Sequence, residues 1–187
     1  MPATLPRPKP LISLIAVLAL AVAILWAMGR PPICTCGDVT LWGRVGPTQS
    51  QMLADWYSPS HVIHGFLFYA ILRWLWPRSA IEHRFLIAAI VEAGWEVIEN
   101  TPMVIDRYRE ATVALGYTGD SILNSASDIA MMALGFLFAR RLPLWASVAI
   151  VIAMELIALV VIRDNLTLNV WMLLAPNESI KAWQAGA

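Results

Sequence analysis

The chain has 187 residues, 59% of them apolar and 14% charged, with a mean hydropathy of +0.65 and a formal net charge of zero. Soluble domains run near 45–50% apolar and about 25% charged, so this excess of apolar side chains cannot be hidden in one water-facing fold and points to lipid as its partner. The zero net charge excludes a global field that would recruit nucleic acid, and the nine tryptophans suit the aromatic belts of membrane proteins.

A bilayer core of roughly 30 Å needs about 20 apolar residues in a helix. Leu11 to Met28 supplies the first such stretch, bounded by a proline-rich head (Pro2, Pro6, Pro8, Pro10) and by Gly29-Arg30-Pro31-Pro32. It exceeds the roughly 7–15 residue core of a cleaved signal peptide, and bulky Trp26 and Met28 stand where small residues would mark cleavage. It reads as an uncleaved anchor. His61 to Trp76, closed by Pro77, is the second stretch. Phe85 to Asn100 is the third, disguised by Glu92, Glu96 and Glu99. Asp120 to Ala139 is the fourth, polar at its start, and Leu144 to Ile162 is the fifth, interrupted by Glu155. Leu166 to Ala175 is apolar but too short to cross, so it reads as interfacial or re-entrant. The expected fold is an all-α integral membrane bundle of about five transmembrane helices plus that short C-terminal segment. Its parts are residues 1–29 (tail and first span), 30–60 (outer loop) and 61–187 (core).

Lys and Arg density in short loops sets orientation. With the N-terminus inside, Arg7, Lys9, Arg78, Arg84, Arg140 and Arg141 crowd short cytoplasmic segments, whereas Arg30, Arg44, Arg107, Arg109, Arg163 and Lys181 are spread over longer outer ones. An N-in, C-out protein of a bacterial inner membrane is expected.

That topology sends the polar residues of four helix ends to one leaflet. His61 and His64 open the second helix, and Glu92, Glu96 and Glu99 close the third. Asp120, Asn124 and Asp128 open the fourth, while Arg163, Asp164, Asn165 and Asn169 follow the fifth. Spacings of three and four place each set on one helix face. An ionised carboxylate facing lipid near mid-bilayer costs at least ~2.5–3.5 kcal/mol, so the stripes should face one another. Three uses fit them: interhelical hydrogen-bond glue, a ligand or substrate site, or an ion path. The ion path is the weakest, because only Arg73 of the second helix lies toward the inner leaflet.

Clustered carboxylates suit acid–base work, here by Glu96, Glu99, Asp120, Asn124 and Asp128. His61 and His64 with Glu92 can instead bind a divalent metal, although no H-E-x-x-H motif is present. Arg163, with Asn165 and Asn169, can hold an anionic headgroup, or Arg163 simply neutralises Asp164 or a carboxylate of the cluster. Glu155 is either a partner for Arg163 or a protonated core residue. Cys34 and Cys36 in the outer loop are a disulfide, metal ligands joined by His61 and His64, or free thiols.

Cys34-Thr35-Cys36-Gly37, Asp55-Trp56-Tyr57-Ser58-Pro59-Ser60-His61, Trp95-Glu96-Val97-Ile98-Glu99-Asn100-Thr101-Pro102, Gly116-Tyr117-Thr118-Gly119-Asp120 and Arg163-Asp164-Asn165 together resemble an uncharacterised, domain-of-unknown-function family of bacterial multi-pass inner-membrane proteins. More loosely, Trp-Glu-x-x-Glu followed by Gly-Asp-x-x-x-Asn is similar to the VanZ-like membrane group. The resemblance implies a shared topology and one polar site, and no reaction. The functional expectation is a binding protein, or a metal-dependent or acid–base hydrolase or transferase, for an amphiphilic headgroup-bearing envelope molecule. The alternative is an accessory or scaffold subunit with a membrane-protein partner or a second copy of itself. Neither involves nucleic acid.

Overall fold

The computed structural model describes residues 9–113 and 116–186, so most of the proline-rich head, with Arg7, lies outside the described residues. Eight α-helices form among them: α1 (Pro10–Ala27), α2 (Ser58–Leu75), α3 (Ile81–Glu99), α4 (Pro102–Ala111), α5 (Ile122–Arg141), α6 (Leu144–Ile162), α7 (Leu166–Leu174) and α8 (Glu178–Ala185), with a 3-10 turn at Gln49–Gln51. No strand occurs among the described residues. All five apolar stretches are helical, and α1, α5 and α6 are long and apolar enough to cross a membrane. Helices α2 and α3 match them in length but carry the polar stripes.

The bundle is built around α5, which is largely buried, whereas α1 and α6 are mostly exposed. Its principal partner is α2. The two meet at a pair of glycines: a β-carbon on Gly135 would lie 2.0 Å from the Val62 carbonyl oxygen, and one on Gly65 would lie 2.1 Å from that of Met132. Only residues without side chains allow backbones this close. Below this crossing Leu72, Phe85, Ala88, Ala89, Met132, Ala133 and Phe136 form the core, with Tyr69 and Phe85 edge-on to Phe136. Small residues on α3 and α1, Ala93 and Ala21, let α1 lie against α3 over Ile129.

Two helices were not expected. α4 starts at Pro102 and α8 is capped by Asn177, whose carboxamide oxygen accepts from Ser179 and Ile180. Both are short and polar enough to pass for loop. The end of α6 also differs from expectation. Arg163 sits in the left-handed region (φ 54°) and donates to the Trp183 carbonyl, so it neutralises neither Asp164 nor the acidic cluster. Glu155 is neither its partner nor an isolated core acid. Its carboxylate accepts from the Leu166 and Thr167 amides and the Thr167 hydroxyl, satisfying donors that the start of α7 would leave unpaired.

Candidate functional site

The loop between α1 and α2 organises the starts of α2 and α5, and through them the site. At α5 the orphan amides of the first turn all find partners: Ile122 and Leu123 donate to the carbonyls of Pro31 and Pro32, and Asn124 to the Ser121 hydroxyl. Arg30, at the end of α1, donates from Nε and Nη2 to the Asp120 carbonyl (3.0 and 2.7 Å) and from Nη1 to that of Thr118. Buried Gln51 bridges the Thr35 amide and the Thr118 hydroxyl. Cys34 and Cys36 are disulfide-bonded. The pair therefore holds no metal in this state and joins neither histidine.

At α2 the buried Asp55 carboxylate accepts from the amides of Tyr57 and Ser58 (2.7 and 3.2 Å) and from the Ser50 hydroxyl (2.9 Å). Ser58 answers by accepting the Asp55 amide and donating its own hydroxyl to Asp128 (3.0 Å). Burial pushes the Asp55 carboxyl above its ordinary value despite these bonds. A reciprocal capping pair thus also fixes a carboxylate one helix away.

The stripes then meet. His61 Nδ1 lies 2.6 Å from Glu92 Oε1 and 3.4 Å from Glu96 Oε1, and its Nε2 lies 3.7 Å from Asp128 Oδ2. His64 Nδ1 approaches the same Glu92 at 3.1 Å. Glu92 and Glu96 are essentially inaccessible to solvent. Asp120 is held by Tyr117, whose hydroxyl donates to Oδ1, and by Asn100, which donates to Oδ2 and accepts the Asp120 amide. Burial outweighs those bonds and raises the Asp120 carboxyl to about 6. Burial likewise raises Asp164, which accepts from the Tyr57 hydroxyl (2.9 Å) and Gln184 (3.0 Å). Tyr57, Tyr108 and Tyr117 are pushed well above the usual phenol value, by burial first and then by neighbouring carboxylates, so they remain protonated donors.

These groups surround a cavity of about 540 Å³. Its polar side carries Asp55, His61, Glu92, Glu99, Asp120 and Asp128, and its apolar side Phe68, Trp95, Ile162 and Leu166. Val91 and Val170 line it while remaining exposed, which places its mouth on the apolar exterior of the bundle. No lysine or arginine lines it among the described residues. Of the residues expected at the site, His61, His64, Glu92, Glu99, Asp120, Asn124, Asp128 and Asn169 line the cavity. Glu96 lies behind it, against His61. Asn169 accepts from Tyr108. Arg163 and Asn165 stand outside: Arg163 ends α6, and Asn165 caps α7 by accepting the Leu168 amide. Asp55, Tyr57, Ser58, Asn100, Tyr108 and Tyr117 belong to the site without having been singled out. The Asp55-x-x-Ser58 spacing before an apolar run was the one local signal for any of them.

An all-helical bundle, three of whose helices can cross a membrane, thus encloses a pocket of carboxylates, imidazoles and phenols. The chain belongs to the family described as "Protein of unknown function (DUF2585)", whose model matches residues 25–186. It is 57% identical over 173 residues to a UPF0314 protein of Sphingopyxis alaskensis, covering 91% of this chain and 92% of that one. It is 53% identical over 172 residues to a UPF0314 protein of Paracoccus denitrificans, covering 90% and 89%. A UPF0314 protein of Agrobacterium fabrum is 57% identical over 169 residues, covering 89% and 85%. No solved structure matches the chain.

Proposed function

We infer that the chain is an inner-membrane protein of five spans (α1, α2, α3, α5 and α6) whose cavity opens to the outer leaflet and takes the headgroup of an amphiphilic molecule for acid–base or metal-assisted chemistry. One observation carries this reading: a single cavity joins an acidic and phenolic floor to an apolar wall whose rim residues, Val91 and Val170, are themselves exposed. Such a cavity suits a molecule with a polar head and a hydrocarbon body. Orientation is supported by Arg73, Arg78, Arg140 and Arg141, which gather at the helix ends away from the cavity. The looser likeness to the VanZ-like group fits a membrane location and contributes no reaction.

The lining also narrows the headgroup. With six carboxylates and no described lysine or arginine, the protein groups alone repel an anion and favour hydroxyl or amine donors, which carboxylates accept and tyrosine faces attract when cationic. Arg163 is no longer available to clamp a phosphate there. A structural reading is favoured for part of the cluster. Asp55, Asn100, Asp120, Ser121 and Asn124 also hydrogen-bond protein partners and so act as glue between loop and helices.

Lipid mass spectrometry of the protein purified in mild detergent tests the reading. A polar-headed amphiphile should copurify well above its share of the bulk membrane extract, and Val91→Trp, which fills the mouth, should remove it. A copurified lipid profile matching the bulk extract in both proteins contradicts the reading.

A further inference from the structure

The floor of the cavity sets acceptors against acceptors. Glu92 takes up Nδ1 of both His61 and His64, and an ionised carboxylate can only accept, which assigns a hydrogen to each Nδ1. In neutral His61 that leaves a lone pair on Nε2, and it faces Asp128 Oδ2 at 3.7 Å, too far for a hydrogen bond. Beside them Glu96, 1% exposed, has an Oε1 with no hydrogen-bond partner. Among the described residues, Glu96 and Asp128 share their one basic neighbour, His61, with Glu92, and Arg109 pairs with Asp106 at the surface instead. One imidazole facing three buried carboxylates leaves an excess of negative charge that is costly to bury, and the usual remedies are pairing or a metal.

We propose that His61 Nε2, Glu96 and Asp128 hold a divalent cation at the cavity floor, with Glu92 fixing the orientation of the His61 ring through Nδ1. One ligand atom from each of the three lies within 4.8 Å of the others. Donors at about 2.0–2.2 Å from a zinc-like ion stand roughly 3–3.6 Å apart, close to the His61–Asp128 separation. A carboxylate on the far nitrogen of a ligating histidine is the common outer-shell arrangement. The two neighbouring triads are filled by hydrogen bonds instead. Glu92 is closed against both histidines, at 2.6 and 3.1 Å. In the set of Glu96, Glu99 and Asp120, both Asp120 oxygens already accept, from Tyr117 and Asn100. One nitrogen and two oxygens suit Zn²⁺ or Mn²⁺ with coordination positions left over. This deepens the functional reading and rests on it in setting the cation beside the bound headgroup, where it supplies the positive charge the lining lacks.

The test uses the full chain in detergent, stripped with EDTA and titrated with Mn²⁺ or Zn²⁺ alone, with metal content read after dialysis. About one cation per chain is expected. Asp128→Asn and His61→Ala should abolish stoichiometric uptake, Glu92→Gln should weaken it by about 10–100-fold, and His64→Ala should change it by no more than a few-fold. Electron spin-echo spectra of the Mn²⁺-loaded wild type, which need no variant to fold, should show a single imidazole nitrogen. No saturable uptake by monodisperse wild-type protein overturns the proposal, as do two coupled nitrogens or a His64→Ala loss equal to that of Asp128→Asn. Lipid analysis of the same samples separates the two readings. Cation uptake without an enriched amphiphile leaves the metal site and sinks the amphiphile, and an enriched amphiphile on protein that takes up no cation does the reverse.

Discussion

Gly135→Leu is expected to prevent recovery of folded, monodisperse protein, and Gly135→Ala to lower its stability by about 3 kcal/mol or more, at or beyond the upper end of the usual cost of overpacking. The β-carbon of even alanine would sit 2.0 Å from the Val62 carbonyl oxygen and 2.9 Å from its carbon. Backbone cannot swing aside as a side chain can, so α2 and α5 must separate. Separation would be felt at the site as well, because α2 carries His61 and His64 and α5 carries Asp128. Gly65→Ala should behave alike, meeting Met132 and Phe136 backbone at 2.1 and 2.4 Å. Gly94→Ala is the control: nothing lies within 4 Å of its added carbon, and α3 should gain roughly 0.5–1 kcal/mol from the better helix former. Thermal unfolding in detergent, followed by circular dichroism and size-exclusion profile, reads all three alanine variants.

The second large effect is expected at Asp55. Alanine there strands the Tyr57 amide and the Ser50 hydroxyl and leaves the Ser58 amide only its 3.3 Å bond to the carbonyl of residue 55, at roughly 1–3 kcal/mol for each buried donor left unsatisfied. The loop should then detach from the start of α2, and Asp128 should lose the ordering of Ser58. Asp55→Asn should cost far less. Its carbonyl oxygen keeps both amides, the Ser50 hydroxyl can turn to accept, and the variant escapes the burial of charge that raises the Asp55 carboxyl. Unfolding temperatures of the two variants check this. Equal losses would mean that charge, not acceptor geometry, holds the loop.

Much of the helical layout was legible in the sequence because hydrophobic runs and their proline and glycine stops are local signals. Leu144 to Ile162 coincides with α6, and Leu11 to Met28 is displaced by one residue from α1. The polar stripes were legible for a different reason: His61 with His64, and Glu92 with Glu96, recur at helical spacing in segments otherwise fit for lipid. What remained hidden depends on chain reversals and long-range pairing. Arg163 looked like an anion clamp until its left-handed backbone turned it toward Trp183. Glu155 looked isolated because the helix start it caps comes eleven residues later. α4 is short and polar, so a window tuned to membrane spans passes over it. Gln51 reaches its partners through a loop with no period of its own, and nothing in its immediate neighbourhood announces Thr118 or Ser121 as the far end of the contact.

The central claim is that side chains from α2, α3 and α5 build one pocket for a headgroup-bearing molecule. A density map of the protein in a nanodisc of native lipid tests it most directly. The account predicts elongated density with its polar end among Tyr57, His61, Asp120 and Asn124, and its apolar end passing between Val91 and Val170 into the outer leaflet. A pocket holding only water, with lipid confined to the outer faces of α1 and α6, would contradict it.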